Sequence, residues 1–241
     1  MTKHALEHGH SRDQIRARLA HGPRVSYLRD MVFGGIDGAV TTFAIVAGVV
    51  GADLSTRIVL ILGAANLLAD GFSMAAANYS SSRTELEEYD QVRAMEERHI
   101  DAVPDGEREE VRQILHARGF DGDGLEQAVG VITSDRERWI DTMMAHEHGL
   151  QPIARSPLRA ALATFAAFLV CGTVPLLPFL FGLAASTVTS TVMTGLTFFA
   201  IGSLRSHWSP LPWWRAGLNT TAIGMAAAGV AYAVGNLLAR L

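Results

Sequence analysis

Five stretches of this sequence are almost free of charge, and each is close to the length a helix needs to cross a bilayer: Val32 to Val50, Ile58 to Tyr79, Leu158 to Phe181, Ala184 to Leu204 and Leu211 to Leu238. About 20 apolar residues cover the roughly 30 Å of hydrocarbon, and a single segment inside hydrocarbon must satisfy its own backbone, which selects the helix. The sequence therefore predicts an all-α integral membrane protein with five transmembrane helices. The connections around Asp53 and Gly182 are very short, so the first and second spans, and the third and fourth, are expected to form tight antiparallel hairpins.

Charge is distributed unevenly along the chain. Of its 241 residues, those between Ser80 and Pro157 include 18 acids and nine arginines, a net of −9 in a chain whose total is −4. This acidic segment predicts a soluble insertion between the second and third spans, and its sign argues against a nucleic-acid partner. Cys171 is the single cysteine, so neither a disulfide framework nor a cysteine-based zinc site can be built. Eighteen of the 20 basic residues lie before the first span, in the acidic segment up to Arg159, or at Arg205 and Arg215, against Arg57 and Arg240 on the other side. By the positive-inside bias the N-terminus and acidic segment are cytoplasmic and the C-terminus is outside.

The expected division is a cytoplasmic tail over 1–28, the first two spans over 29–80, an acidic metal-binding domain of three helices over 81–156 and three further spans over 157–241. The tail is polar, with Glu7, Asp13 and four histidines, and does not read as a signal peptide. Lacking a targeting segment, the chain is expected in a bacterial inner membrane. Within the acidic domain, Ser82 to Ile100 continues the second span out of the membrane. Pro104-Asp105-Gly106 forms a turn and Glu107 to Arg118 a second helix. A third helix follows from Leu125 to His148, with Gly130 and Ser134 as candidate breaks.

Asp37 and Asp70 fall inside predicted spans. A centrally buried aspartate costs about 2.5–3.5 kcal/mol on insertion scales, so intramembrane carboxylates usually mark an ion or proton path, although each could instead be an interhelical contact. Gly34 and Gly38, four apart around Asp37, form a close-packing pattern. Asn66, Asp70 and Met74 recur every four residues and so share one helix face, offering two oxygen ligands and a soft sulfur. In the acidic segment Glu96 and His99, and Glu107 and Glu110, are spaced three apart, while Met143, Met144 and Glu147 cluster near its end, the glutamate flanked by His146 and His148. Glu-x-x-His is also the ligand pair of di-iron carboxylate bundles, which leaves a membrane-anchored ferroxidase or iron-storage module as an alternative; that centre needs a second such pair on a packed helix. A third reading makes the acidic segment a sensor with the spans as its anchor. His4, His8, His10 and His21 in the tail are further candidate metal ligands.

Gly35-Ile36-Asp37-Gly38 with Phe43-Ala44-Ile45-Val46-Ala47-Gly48, Ser73-Met74, Trp139-Ile140-Asp141-Thr142-Met143-Met144 with Glu147 and Gly149-Leu150, and Val174-Pro175-Leu176-Leu177-Pro178 occur in one chain and in this order. With these motifs the sequence resembles the vacuolar iron transporter family from about Leu28 to near its end. The resemblance implies a homodimer of five-helix subunits in a lipid bilayer, moving Fe²⁺, Mn²⁺ and related divalent ions out of the cytosol in exchange for protons. It implies no enzymatic activity and no permanently bound cofactor, the transition metal being the substrate. It places the transmembrane metal site at Asp37 and Met74 and the ion-gathering residues at Glu96, Glu107, Glu110, Met143, Met144 and Glu147. His99 stands where plant members carry glutamate. Asn66 stands where a family glutamate lies, and Asp70, one turn on, is its candidate replacement.

Overall fold

The computed structural model of the protein describes residues 9–21, 25–152 and 154–240. The chain is built from ten α-helices among these residues: α1 (Arg12–His21), α2 (Leu28–Gly51), α3 (Thr56–Ala102), α4 (Pro104–His116), α5 (Gly122–Thr133), α6 (Arg136–His146), α7 (Pro157–Thr173), α8 (Leu177–Leu180), α9 (Ser186–Arg205) and α10 (Trp213–Leu238). Five helical segments are long and apolar enough to cross a membrane: α2, α3, Pro157–Leu180, Ser186–Trp208 and α10. The third of these is not one regular helix. Pro175 and Pro178 lack backbone donors and crowd the preceding turn, and the chain passes through a 3₁₀ turn at Val174–Leu176 before the short α8.

α3 is a single helix of 47 residues. At 1.5 Å per residue it is about 70 Å long, twice what the hydrocarbon needs, so its second half projects as a rigid rod from the apolar bundle. As the sequence suggests, Ser82 to Ile100 is simply the continuation of the second span. The third helix expected in the acidic segment is divided at Ser134-Asp135. The Asp135 carboxylate accepts a hydrogen bond from the Arg138 amide at 2.9 Å, an N-cap that starts α6 afresh. Ile100, Val111, Leu115, Leu125, Val129, Trp139, Ile140, Met143 and Met144 form a core where the end of α3 meets α4, α5 and α6.

The apolar bundle has a separate core centred on α2, with Ala39, Phe43, Val46 and Val49 packed among Val59, Leu67, Phe168, Leu176 and Phe198. Helix α2 touches α3, α7, α9 and α10. The first two spans are neighbours, as the short turn at Asp53 requires. The third and fourth pair chiefly at the closed end of their hairpin, where α9 meets the 3₁₀ turn and α8; beyond it α7 packs along α2 and α3 and α9 along α10 and α2. The reason lies on α2. A Cβ on Gly34 would lie 2.3 Å from the Thr164 carbonyl oxygen and one on Gly38 2.4 Å from that of Phe168, so these two positions let α7 approach backbone to backbone. This contact outweighs sequence proximity and places α2 between α7 and α9.

A polar cluster joins α2, α3 and α7 at the acidic-segment end. The Asn78 amide of α3 donates to Asp30 Oδ1 of α2 at 2.9 Å and to Thr164 Oγ1 of α7 at 2.6 Å. Replacing Gly38 with leucine is expected to destabilise the detergent-solubilised protein by about 1–3 kcal/mol, the usual cost of overpacking a dense contact. Alanine at Gly195, whose added Cβ meets nothing within 4 Å, leaves stability unchanged or slightly raised. Thermal unfolding of the two variants checks this ordering.

Candidate metal centre

Two carboxylates are buried in the acidic segment with almost no solvent contact: Glu96 on α3 is 1% exposed and Glu107 on α4 is 3% exposed. Both lie one helix face from the local core, Glu96 one turn before Ile100 and Glu107 one turn before Val111, so folding that core draws the acids inward with it. One oxygen of each, Glu96 Oε2 and Glu107 Oε2, is buried with no hydrogen-bond partner. An orphaned buried carboxylate oxygen costs several times what a satisfied one does, and a bound cation would satisfy both at once.

The end of α6 supplies further candidate ligands. Met143 O accepts hydrogen bonds from the amides of Glu147 at 2.9 Å and His148 at 3.3 Å, and Leu150 N reaches back to Met144 O at 2.8 Å while Gly149 adopts a positive φ of 68°. This C-terminal turn folds His148 over the helix end. Its Nε2 lies 2.9 Å from Glu96 Oε1 and 3.6 Å from Glu147 Oε2. Candidate ligand atoms of Glu96, Glu147 and His148 all fall within 4.8 Å of one another. On the other flank, His99 Nδ1 lies 3.4 Å from Glu107 Oε1.

Electrostatics bind these groups into one unit. Burial first, then the negative fields of Glu96, Glu110 and Glu147, push the Glu107 carboxyl up to about 7. Burial and Glu110 likewise raise Glu147, against a partial offset from His148. Glu110 is solvent-exposed and acts on the cluster through its charge. Met143 and Met144 are fully buried in the local core, with Met143 on the turn beneath Glu147. The structure thus brings Glu96, His99, Glu107, Glu110 and Glu147 together, with Met143 and Met144 in the wall of the same core.

His148 is the residue that helical spacing misses, because it lies beyond the end of α6. The available signal was Gly149, whose positive φ permits the reversal that aims the imidazole back. His146, at the last turn of α6, points elsewhere: Arg118 meets both of its ring nitrogens, at 3.0 and 2.6 Å. His4, His8 and Glu7 lie outside the described residues, as does the side chain of His21, and His10 lies just before α1.

In the apolar bundle, Asn66 donates to Thr41 Oγ1 at 3.2 Å and to Thr42 Oγ1 at 3.4 Å, joining α3 to α2. Asp37 is half-buried, and Asp70 lies within electrostatic reach of it but is exposed on the surface of the single chain. Met74 is half-buried against the bundle core. The three-residue face of Asn66, Asp70 and Met74 therefore meets three environments: an interhelical hydrogen bond, an open surface and a core edge.

Two outcomes follow from the acidic cluster. His148→Gln is expected to weaken Mn²⁺ or Co²⁺ binding to the full chain by about tenfold or more, as loss of a ligand or its orienting partner does, while His146→Gln leaves it unchanged; calorimetric titration separates them. Glu107 has a raised value in the folded chain, so folding takes up a proton between its ordinary 4.5 and about 7; this stabilisation is complete below the ordinary value and is lost as pH rises through about 7. In metal-free protein, α4 and α6 are expected to resist hydrogen exchange better at pH 5.5 than at pH 7.5 after correction for intrinsic rates, and Glu107→Gln to shrink that difference.

Comparison with known proteins agrees with the motifs. The model of the VIT family matches residues 28–236. A vacuolar iron transporter of Centaurea cyanus is 32% identical over 209 residues, covering 85% of each chain. One from Toxoplasma gondii is 33% identical over 227 residues, covering 88% of this chain and 74% of its own, and vacuolar iron transporter 1 of Arabidopsis thaliana is 30% identical over 214 residues, covering 88% and 86%. A family match over most of the sequence, five membrane-type helices and a helical insertion rich in acids lead to one conclusion: the chain belongs to the VIT family.

Proposed function

We propose that the chain is a proton-coupled divalent metal transporter that carries Fe²⁺, and Mn²⁺ with it, out of the cytosol. The observation that carries this reading is the convergence of Glu96, Glu147 and His148, together with one buried oxygen each on Glu96 and Glu107 that has no partner. Oxygen and imidazole donors suit borderline divalent ions, and the neighbouring thioethers of Met143 and Met144 add a preference for transition metals over Mg²⁺ and Ca²⁺. The acidic segment concentrates ions by its charge and strips their water. Asp37 and Met74 receive them in the membrane.

Antiport follows from the chemistry of a carboxylate in a dry path, which binds a metal ion or a proton but not both. Protonation of Asp37 from the far side releases the ion there. Asp70 is the second acid of this step, in place of a carboxylate at Asn66. A second copy of the chain against the α2–α3 face would cover Asp70, which otherwise meets lipid at a cost of about 2.5–3.5 kcal/mol, and this supports a homodimer with the path near its axis. The basic residues orient the acidic segment to the cytosol. Export across a bacterial inner membrane and loading of a vacuole share that topology, and the curated relatives carry the name vacuolar iron transporter. The metal is substrate, not cofactor, and the reading assigns no catalytic residue.

The ferroxidase alternative gains no support: among the described residues one group of three carboxylate or imidazole ligands converges, and His99, the histidine of the Glu96 pair, sits against Glu107 outside that group. The test is metal-driven proton movement in proteoliposomes, with Fe²⁺ or Mn²⁺ outside and a pH dye inside. Wild type is expected to alkalinise the lumen as metal enters. Asp37→Ala abolishes both fluxes while retaining metal at the acidic cluster, and Glu110→Ala raises the half-saturating metal concentration with little change in maximal rate. Normal transport by Asp37→Ala overturns the assignment.

A further inference from the structure

Asp30, in the first turn of α2, is 6% exposed and has an unusual set of partners. Its Oδ1 accepts from Asn78 Nδ2 at 2.9 Å and also from Arg155 Nη2, whereas its Oδ2 is buried with no partner. Arg155 is also incompletely used, since its Nε is buried and unpartnered. An arginine paired for structure usually engages both carboxylate oxygens through two parallel hydrogen bonds. Here the fork covers one oxygen, and its guanidinium lies 6.0 Å from the centroid of the Tyr27 ring.

The surroundings are those of an ion site. A cavity of about 560 Å³ is lined by Asp30, Asn78, Ser82, Glu85, Arg155 and Met74, among others, with Arg29, whose guanidinium lies over Trp208, as its second cation. Met74, Asn78 and Ser82 recur every four residues on α3, so one helix face runs from the polar stretch down to the methionine. Glu85 to Met74 is roughly 16 Å at the helical rise. Around Asp30 stand further oxygen atoms: Thr164 Oγ1, 2.6 Å from Asn78 Nδ2, the Ala160 carbonyl at 3.5 Å from the same nitrogen, and Asn78 Oδ1, which accepts from Ser82 Oγ at 3.3 Å. Turning the Asn78 amide over would present its oxygen to an ion held by Asp30.

We propose that Asp30 and Asn78 form a divalent-cation site at the mouth of the membrane path, and that Arg155 is its tethered stand-in cation. Arg155 keeps the carboxylate neutralised until a metal ion arrives, and the arriving ion takes both oxygens and expels the guanidinium into the cavity. The arrangement gives the path a waiting station between the acidic cluster and Met74 that does not leave a bare buried charge when empty. Hard and borderline ions that accept carboxylate, amide and hydroxyl oxygens, such as Mn²⁺ and Fe²⁺, fit this donor set. The role as a station rests on the transport reading above; occupancy of the site does not.

The test is therefore a binding measurement. Mn²⁺ is titrated into the full-length protein in detergent and followed by electron paramagnetic resonance, with Glu96→Gln and Glu147→Gln present throughout to silence the acidic cluster. Adding Arg155→Gln is expected to create one more tight Mn²⁺ site per chain, or to tighten a weak one by about tenfold, because it leaves Asp30 buried and uncompensated. Adding Asp30→Asn to that variant is expected to remove the gain. Should Arg155→Gln not yield folded protein, Arg155→Lys, with a point charge in place of the fork, is expected to show a smaller gain in the same direction. Unchanged Mn²⁺ binding in the folded Arg155 variant, or a gain that survives Asp30→Asn, overturns the proposal. Failure of Asp37-dependent transport alone would instead strike the transport reading and leave this site standing.

Discussion

Like-charge repulsion between buried carboxylates is the interaction on which the acidic segment depends. Glu96 and Glu107 are held together by the packing of α3, α4 and α6, in a site that offers each of them one oxygen without a donor. Hydrophobic burial of Ile100, Val111, Ile140 and the two methionines forces this approach, and burial first, then the repulsion of the neighbouring acids, raises Glu107 to about 7. Such a site has two ways to relax, a proton or a cation. The same competition, moved into hydrocarbon at Asp37, is the basis of the proposed antiport, so one piece of carboxylate chemistry serves both capture and release.

Helix α3 joins the two places mechanically. Glu96, Asp70 and Met74 lie on one uninterrupted helix, with Met74 and Glu96 about 33 Å apart along its axis. Helix α2, in turn, is fixed against α7 by the backbone contacts at Gly34 and Gly38 that flank Asp37. An aspartate between two such contacts has little freedom to move toward lipid, and its proximity to Asp70 is set by helix packing rather than by loop geometry. A single chain leaves the surface around Asp70 uncovered.

The spans were legible in the sequence because absence of charge over twenty residues has few structural solutions. Helix α3 was legible for a related reason, since nothing between Thr56 and Ala102 breaks a helix after the apolar run ends. The packing order was not. Short loops suggested that the third and fourth spans pair along their length, but they meet chiefly at the loop end, because Gly34 and Gly38 draw α7 onto α2 across sequence distance. The break before α6 falls at Ser134, one of the two candidate breaks in the sequence, where the N-cap at Asp135 restarts the helix; Gly130 lies within α5. In the acidic cluster, helical spacing identified the carboxylates, whereas His148 required the turn at Gly149, and no spacing rule linked Asp30 to Arg155, 125 residues away.

On the proposed reading, the acidic cluster holds a dehydrated divalent ion through Glu96, Glu107, Glu147 and His148. X-ray absorption at the metal edge, on anaerobic full-length protein loaded with one equivalent of Fe²⁺, reads this directly. The account predicts an oxygen and nitrogen shell with imidazole scattering, which disappears in His148→Gln and reverts toward the aqua ion in Glu96→Gln with Glu107→Gln. An aqua-ion spectrum in the wild type, or one indifferent to these substitutions, would contradict it.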